Sequence, residues 1–195
     1  MIRYMRKLLL LLILAVGIYA PAKSQDVSIK TNILADVALS PNVGIEFGLK
    51  PHWSLDVTGE YNQWTIQQHK WKHWLVQPEV RYWFCDYFAK HFLGLHLMGG
   101  QYNTGNIRNN INFLGSDLSV LTDNFIEGWG IGAGIAYGYA LPLSRHLNLE
   151  FEIGVGYVYT QFDRFECTEC RKKAGSGDHH YVGPTKAAVN LVYVF

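Results

Sequence analysis

The sequence predicts an all-β protein, a closed antiparallel up-and-down transmembrane barrel of about eight strands, and three observations carry that expectation. Successive side chains of a strand fall on opposite faces. Leu147 to Tyr159, LNLEFEIGVGYVY, obeys this by splitting into Leu, Leu, Phe, Ile, Val, Tyr and Tyr at odd positions against Asn, Glu, Glu, Gly, Gly and Val at even ones. Residues 127–141 put Trp129, Ile131, Ala133, Ile135, Tyr137, Tyr139 and Leu141 on one face, opposite a row made only of glycine and alanine. A soluble barrel would leave that glycine row on its solvated outer wall, where it weakens the strand for no packing gain. A narrow membrane barrel needs small residues inside and apolar ones outside. The third observation is an alternation of short and long connections, as expected when one rim carries tight turns and the other carries loops.

Taken in order, the chain opens with Arg3, Arg6 and Lys7, an apolar run from Leu8 to Ile18, and the small-residue stretch Tyr19 to Gln25. This reads as a secretory signal peptide over 1–24, cut after Ser24 or, alternatively, after Ala22. The apolar run is shorter than the roughly 20 residues of a membrane-spanning helix. Residues 25–195 then form one domain without a Pro- or Ser-rich linker.

Period-two patterning places strands at 28–39, 42–49, 53–62, 74–84, 91–102, 127–141, 147–161 and 184–195. Ser40-Pro41-Asn42, Lys50-Pro51-His52, Cys85-Asp86-Tyr87 and Pro142-Leu143-Ser144 punctuate them as turns. Short turns are expected at 50–52, 85–90 and 142–146, and long outer connections at 63–73, 103–126 and 162–183, only the first outer connection, near Ser40-Pro41, being brief. Aromatic residues bracket the apolar runs, with Trp53 and Tyr61 around Leu55 and Val57, Trp74 and Tyr82 around Val76 and Val80, and Trp129 and Tyr139 around Ile131 and Ile135. Interfacial Trp and Tyr collect in this way at the rims of a lipid-facing band. The apolar terminal stretch from Val189 to Phe195 resembles the insertion signal of bacterial outer-membrane barrels.

Formal net charge is +1, which gives no electrostatic footprint for nucleic acid. The stretches KTNILADVALSPNVGIEFGLKPHWSLDV, KWKHWLVQPEVRYWF and HFLGLHLMGGQYN, covering much of Lys30 to Asn103, resemble a family of uncharacterised outer-membrane barrel proteins from Gram-negative anaerobes. That family is classed as a domain of unknown function and is found in some genomes beside fimbrial genes. The resemblance implies a barrel in the cell envelope and no established activity; a fimbrial or other surface protein is the partner expected at the outer loops. The resemblance weakens through the second half of the chain.

Polar residues on the inward parity form the richest constellation: Lys30, Asp36, Glu46, Asp56, Glu60, Glu79, Arg81, His96, Glu150, Glu152 and Lys186. A barrel of about eight strands is only wide enough for side chains, so a hydrogen-bonded plug is expected in preference to a proton or cation path. The glycines of 127–141 are expected to make room for Glu150 and Glu152. Cys167 and Cys170 are a candidate disulfide, preferred over a zinc site shared with His179 and His180. Lys70, Trp71, Lys72 and Trp74 combine cations and aromatics at the outer rim, either as a lipopolysaccharide contact or as ordinary interfacial anchors. His52-Trp53-Ser54 matches the letters of the His-x-Ser pair of lipid A deacylases, but it falls at a turn on the opposite rim with Ser54 pointing inward. The expectation is therefore a non-enzymatic outer-membrane barrel with no cofactor or metal, in contact with lipid and lipopolysaccharide. The rival readings are a lipid-modifying enzyme and a soluble lipocalin-like carrier.

Overall fold

The structure, a computed structural model, describes residues 27–66, 69–105, 112–113, 116–117, 125–165 and 173–195. Eight strands close into one antiparallel barrel. They are β1 (Val27–Asn32), β2 (Asn42–Lys50), β3 (Trp53–Ile66), β4 (His69–Trp83), β5 (Lys90–Gly105), β8 (Phe125–Pro142), β9 (Leu147–Phe165) and β10 (Lys173–Val194). Each strand pairs with its neighbour in sequence, and β1 seals the barrel against β10 through Ser28↔Val194 to Asn32↔Asn190. A separate two-stranded ribbon of β6 (Asn112–Phe113) and β7 (Ser116–Asp117) lies between β5 and β8 in the chain. Both barrel termini and the turns after β2, β4 and β8 lie at one end, here called the terminal end. The opposite end is the distal end.

The parity expectation holds along the walls. In β9, Phe151, Ile153 and Val155 are 44, 62 and 51% exposed, while Glu150 and Glu152 are 1 and 6% exposed. The barrel is thus inverted relative to a soluble one, with aliphatic side chains outside and carboxylates inside. Two aromatic girdles bound the apolar band. Cross-strand pairing lines up Tyr61, Trp74, Gln101 and Trp129 toward the distal end. Trp53, Tyr82 and Phe84 contact edge to face at the terminal end, as do Tyr193 and Phe195.

Three expectations are corrected. The first strand stops at Asn32, and residues 33–37 form a short helix, α1 (Ile33–Val37). The Asn42 side chain takes over the local ladder bonds, accepting from the Asn32 amide at 2.6 Å and donating to the Asn32 carbonyl at 3.1 Å. The Asn32 side chain in turn caps α1 through the Leu34 amide. This is the usual competition of short polar side chains with a β-ladder. The outer connections are also shorter than expected, because β3 and β4 stay paired to Ile66↔His69 and β9 and β10 to Phe165↔Lys173. Backbone pairing continues past the apolar belt, where side-chain parity no longer alternates in hydrophobicity. Finally, Lys70 to His73 belong to β4 rather than to a loop before it.

Candidate functional site

The middle of the lumen is filled by a single ionic network. Arg81, on β4 and fully buried, is its hub: its Nε donates to Glu79 at 2.6 Å, Nη1 to Glu46 at 2.8 Å and Glu150 at 3.1 Å, and Nη2 to Glu152 at 2.8 Å. Nη2 also lies 3.4 Å from Asp56. Lys30 sits 2.5 Å from Glu46, 3.4 Å from Asp56 and 3.5 Å from Glu150. Lys186 reaches Glu79 at 2.7 Å and Glu152 at 3.0 Å. Asn190 donates to the remaining Glu150 oxygen at 2.8 Å. Buried charges are tolerable only when paired and hydrogen-bonded in this way.

Of the residues expected to form the interior network, Lys30, Glu46, Asp56, Glu79, Arg81, His96, Glu150, Glu152 and Lys186 come together. His96 approaches Glu79 only to 3.8 Å, and its Nε2 lies 2.9 Å from the Thr185 hydroxyl. Asp36 does not join. It has the right parity but sits on α1, exposed, accepting from Thr31 at 2.7 Å and from Asn42 at 3.0 Å. Glu60 is half-buried nearer the distal end, where it pairs with His73 at 2.8 Å instead of the Arg81 cluster.

The β8 glycines do make room, but for different side chains. Gly138, Gly134, Gly132 and Gly128 lie directly opposite Phe92, His96, Met98 and Tyr102 of β5. An added Cβ would come within 2.2 Å of Phe92 at Gly138 and 2.7 Å of His96 at Gly134. Glu150 and Glu152 turn the other way, toward Arg81 and Asn190. Space beside Glu79 comes from Gly94, and space beside Lys30 from Gly44, with an added Cβ at 2.5 and 2.7 Å respectively.

Sequence reasoning missed an aromatic seal below the network. Trp83, Phe88, Phe92, Ala140, Val192 and Val194 form a buried apolar cluster at the terminal end. Trp83 and Phe92 have ring centroids 4.6 Å apart, and the Arg81 guanidinium stacks 4.4 Å over Phe92. Trp83 donates from Nε1 to Ser54 at 2.8 Å, and Ser54 in turn donates to Glu46, joining seal to network. Phe88 reaches inward from the β4–β5 turn, where its φ of 65° folds the chain back under the barrel and Asn148 holds its carbonyl at 2.8 Å. The signal was present in Trp83 and Phe92, which share the parity of Arg81 and His96. An apolar residue on a polar face simply carried no flag.

His52 and Ser54 do not form a pair. His52 Nδ1 lies 2.7 Å from the Cys85 carbonyl oxygen and 3.0 Å from that of Trp83, while the Ser54 hydroxyl is buried against Glu46 and Trp83. Cys85 is a free thiol at the terminal end. Cys167 and Cys170 lie outside the described residues, as do the side chains of Lys70 and Trp71. Lys72 is half-buried, and Trp74 faces outward, donating to Gln101 at 3.2 Å. Among the described residues no cluster of His, Cys, Asp and Glu has the arrangement to hold a metal ion.

Fold and interior together define a closed eight-stranded β-barrel with an inverted surface and an ion-paired lumen. The chain belongs to the family described as protein of unknown function (DUF3575), whose model matches residues 8–195. That match extends through the second half of the chain, where the resemblance carried by the quoted stretches weakens. No curated protein and no solved structure matches the chain.

Proposed function

We propose that the protein is a non-enzymatic outer-membrane barrel, exported with residues 1–24 removed, that anchors an interaction surface at the distal end. The observation that carries this reading is the inversion of the wall: a continuous apolar outer face between two aromatic girdles, around carboxylates that are almost wholly buried. Hydrocarbon is the solvent that favours such an exterior, and a closed ladder satisfies the backbone groups that lipid cannot. A soluble carrier would present that exterior to water, far beyond the few hundred Å2 of apolar patch usual for monomers.

The plug supports an anchoring role over a transport role. Arg81, Lys30 and Lys186 tie the carboxylates across the lumen, and the aromatic seal closes the end beneath them. The engagement of Ser54 by Glu46 and Trp83 supports the non-enzymatic side of the reading. With the termini toward the periplasm, the extensions of β3–β4 and β8–β10 beyond the distal girdle face outward. There they meet the lipopolysaccharide layer, with Lys72 and Trp74 at its boundary, or a surface protein such as a fimbrial subunit.

Fractionation of the native envelope tests the location. The protein is expected in the outer-membrane pellet after a high-salt wash, with different gel mobility before and after boiling in SDS. Recovery from the periplasm without detergent overturns the reading. In a planar bilayer the purified protein is expected to show no stable porin-like conductance, and steady cation-selective current would turn the plug into a path.

A further inference from the structure

Above the ionic network the lumen changes character. On the inner side of β4, β5, β8 and β9, Leu75, Met98, Gly100, Gly130, Val158 and Thr160 border a cavity of about 310 Å3. This is at the small end of the roughly 300–1,000 Å3 typical of ligand pockets. On the outer face at the same height lies a groove between Trp74 and Trp129, floored by Val76, Pro78, Leu97 and Ile131. Trp74, Met98, Gly100, Gln101 and Gly130 border both spaces, so the barrel wall at β4, β5 and β8 is all that separates them.

The wall is also interrupted at this same place. The β4–β5 ladder runs from Lys70↔Gly105 to Val76↔Gly99 and resumes at Glu79↔His96, leaving Gln77 and Pro78 without partners in β5. Both remain paired with β3, as Thr58↔Gln77 and Val57↔Pro78. Proline has no N–H to give to the ladder and is ordinarily kept out of the interior of a sheet. Here it interrupts a seam inside the apolar belt. Just above, the Trp74–Gln101 hydrogen bond at 3.2 Å bridges the same two strands across the outer face.

We propose that the distal lumen is a binding site for one acyl chain of a membrane lipid, which enters sideways between β4 and β5 at Pro78. The proposal rests on the outer-membrane reading above, since it needs lipid against the outer groove. The walls offer a chain methylene and methyl contacts from Leu75, Met98 and Val158, and the glycines leave the space for it. The charged network beneath sets the depth of entry, because hydrocarbon gains nothing among buried charges. Lys72, His73, Tyr102 and Thr104 border the same space, but the surface it exposes is almost wholly carbon, so a polar solute finds few partners there.

The test uses the full chain refolded into phosphatidylcholine vesicles that carry a trace of phospholipid with a photoactivatable diazirine at the end of one acyl chain. After illumination, peptide mapping locates the labelled residues. Labelling is expected at outward Leu97 and Ile131 and also at inward Leu75, Met98 or Val158, with none at Phe92 below the network. Val158→Trp, which fills the cavity, should lower inward labelling several-fold and leave outward labelling unchanged. Pro78→Val, which restores a ladder donor at that position, should do the same if Val158→Trp does not fold. Outward labelling with inward residues no more labelled than Phe92 overturns the site and leaves the barrel in its membrane. Loss of labelling at Leu97 and Ile131 as well overturns both readings.

Discussion

The two halves of the lumen are built on the same strands and solve the same problem in opposite ways. The terminal half is full. Trp83, Phe88 and Phe92 pack beneath Arg81, and each glycine there faces a large side chain, as Gly138 faces Phe92. The distal half, bordered by Leu75, Met98 and Val158, keeps a cavity and an interrupted seam. The difference teaches where stability and adaptability sit in a small barrel. Charges and aromatics that cross the lumen tie non-adjacent strands together, whereas the distal half is held mainly by the ladder.

The largest effect is expected from removing the hub that divides the halves. Arg81→Ala leaves Glu46, Glu79, Glu150 and Glu152 short of a partner and should cost about 3–5 kcal/mol, the usual loss when one member of a buried ion-pair network is deleted. Urea midpoints in detergent or vesicles measure it, and a cost no greater than that of a surface change would mean that the network does not hold the barrel.

A matched pair of core truncations then compares the halves directly. Phe92→Ala in the packed half should cost about 3–5 kcal/mol, while Met98→Ala, which borders a cavity already present, should cost less than about 2 kcal/mol. Equal costs by the same unfolding assay would erase the distinction.

The outer face supplies the next test. Ile153→Arg should cost about 2–4 kcal/mol if this exposed residue meets lipid near the midplane, and Glu152→Gln on the inner face should carry no such lipid penalty. Vesicle-refolded protein gives the comparison, and equal effects from the two changes would undo the assignment of faces.

The smallest effects come from glycines. Gly138→Ala forces a methyl into Phe92 and should cost about 1–3 kcal/mol. Gly59, on the outer face with open space around its Cβ direction, should tolerate alanine and gain about 0.4–1 kcal/mol from a less flexible unfolded chain. Thermal gel-shift midpoints are sensitive enough to read both signs.

Fold and facing were legible because side-chain parity is a local property. The pleat alone decides that Glu150 and Glu152 share a face and that Ile153 does not, so no knowledge of neighbouring strands was needed to expect an apolar exterior and a polar interior. The eight strands and the membership of Lys30, Glu79, Arg81 and Lys186 in one interior followed from the same rule. Parity fails where a side chain overrides the ladder. The Asn32–Asn42 exchange ends β1 early and carries Asp36 out on α1, through a contact between residues that pattern reading treats as independent.

Only closure of the barrel decided which inward residues meet. Strand order and shear set Arg81 among carboxylates from β2, β4 and β9, bring Lys186 from β10 onto Glu79, and turn Phe92 and His96 of β5, rather than Glu150 and Glu152 of β9, toward the glycines of β8. They also place Glu60 with His73, away from the network. The aromatic seal needed the turn at Phe88 to fold under the barrel, and the break in the β4–β5 seam needed Pro78 to fall beside Leu97. A single strand states which way each side chain points. Its partners across the lumen lie on strands far away in sequence, and their distances exist only once the sheet has closed.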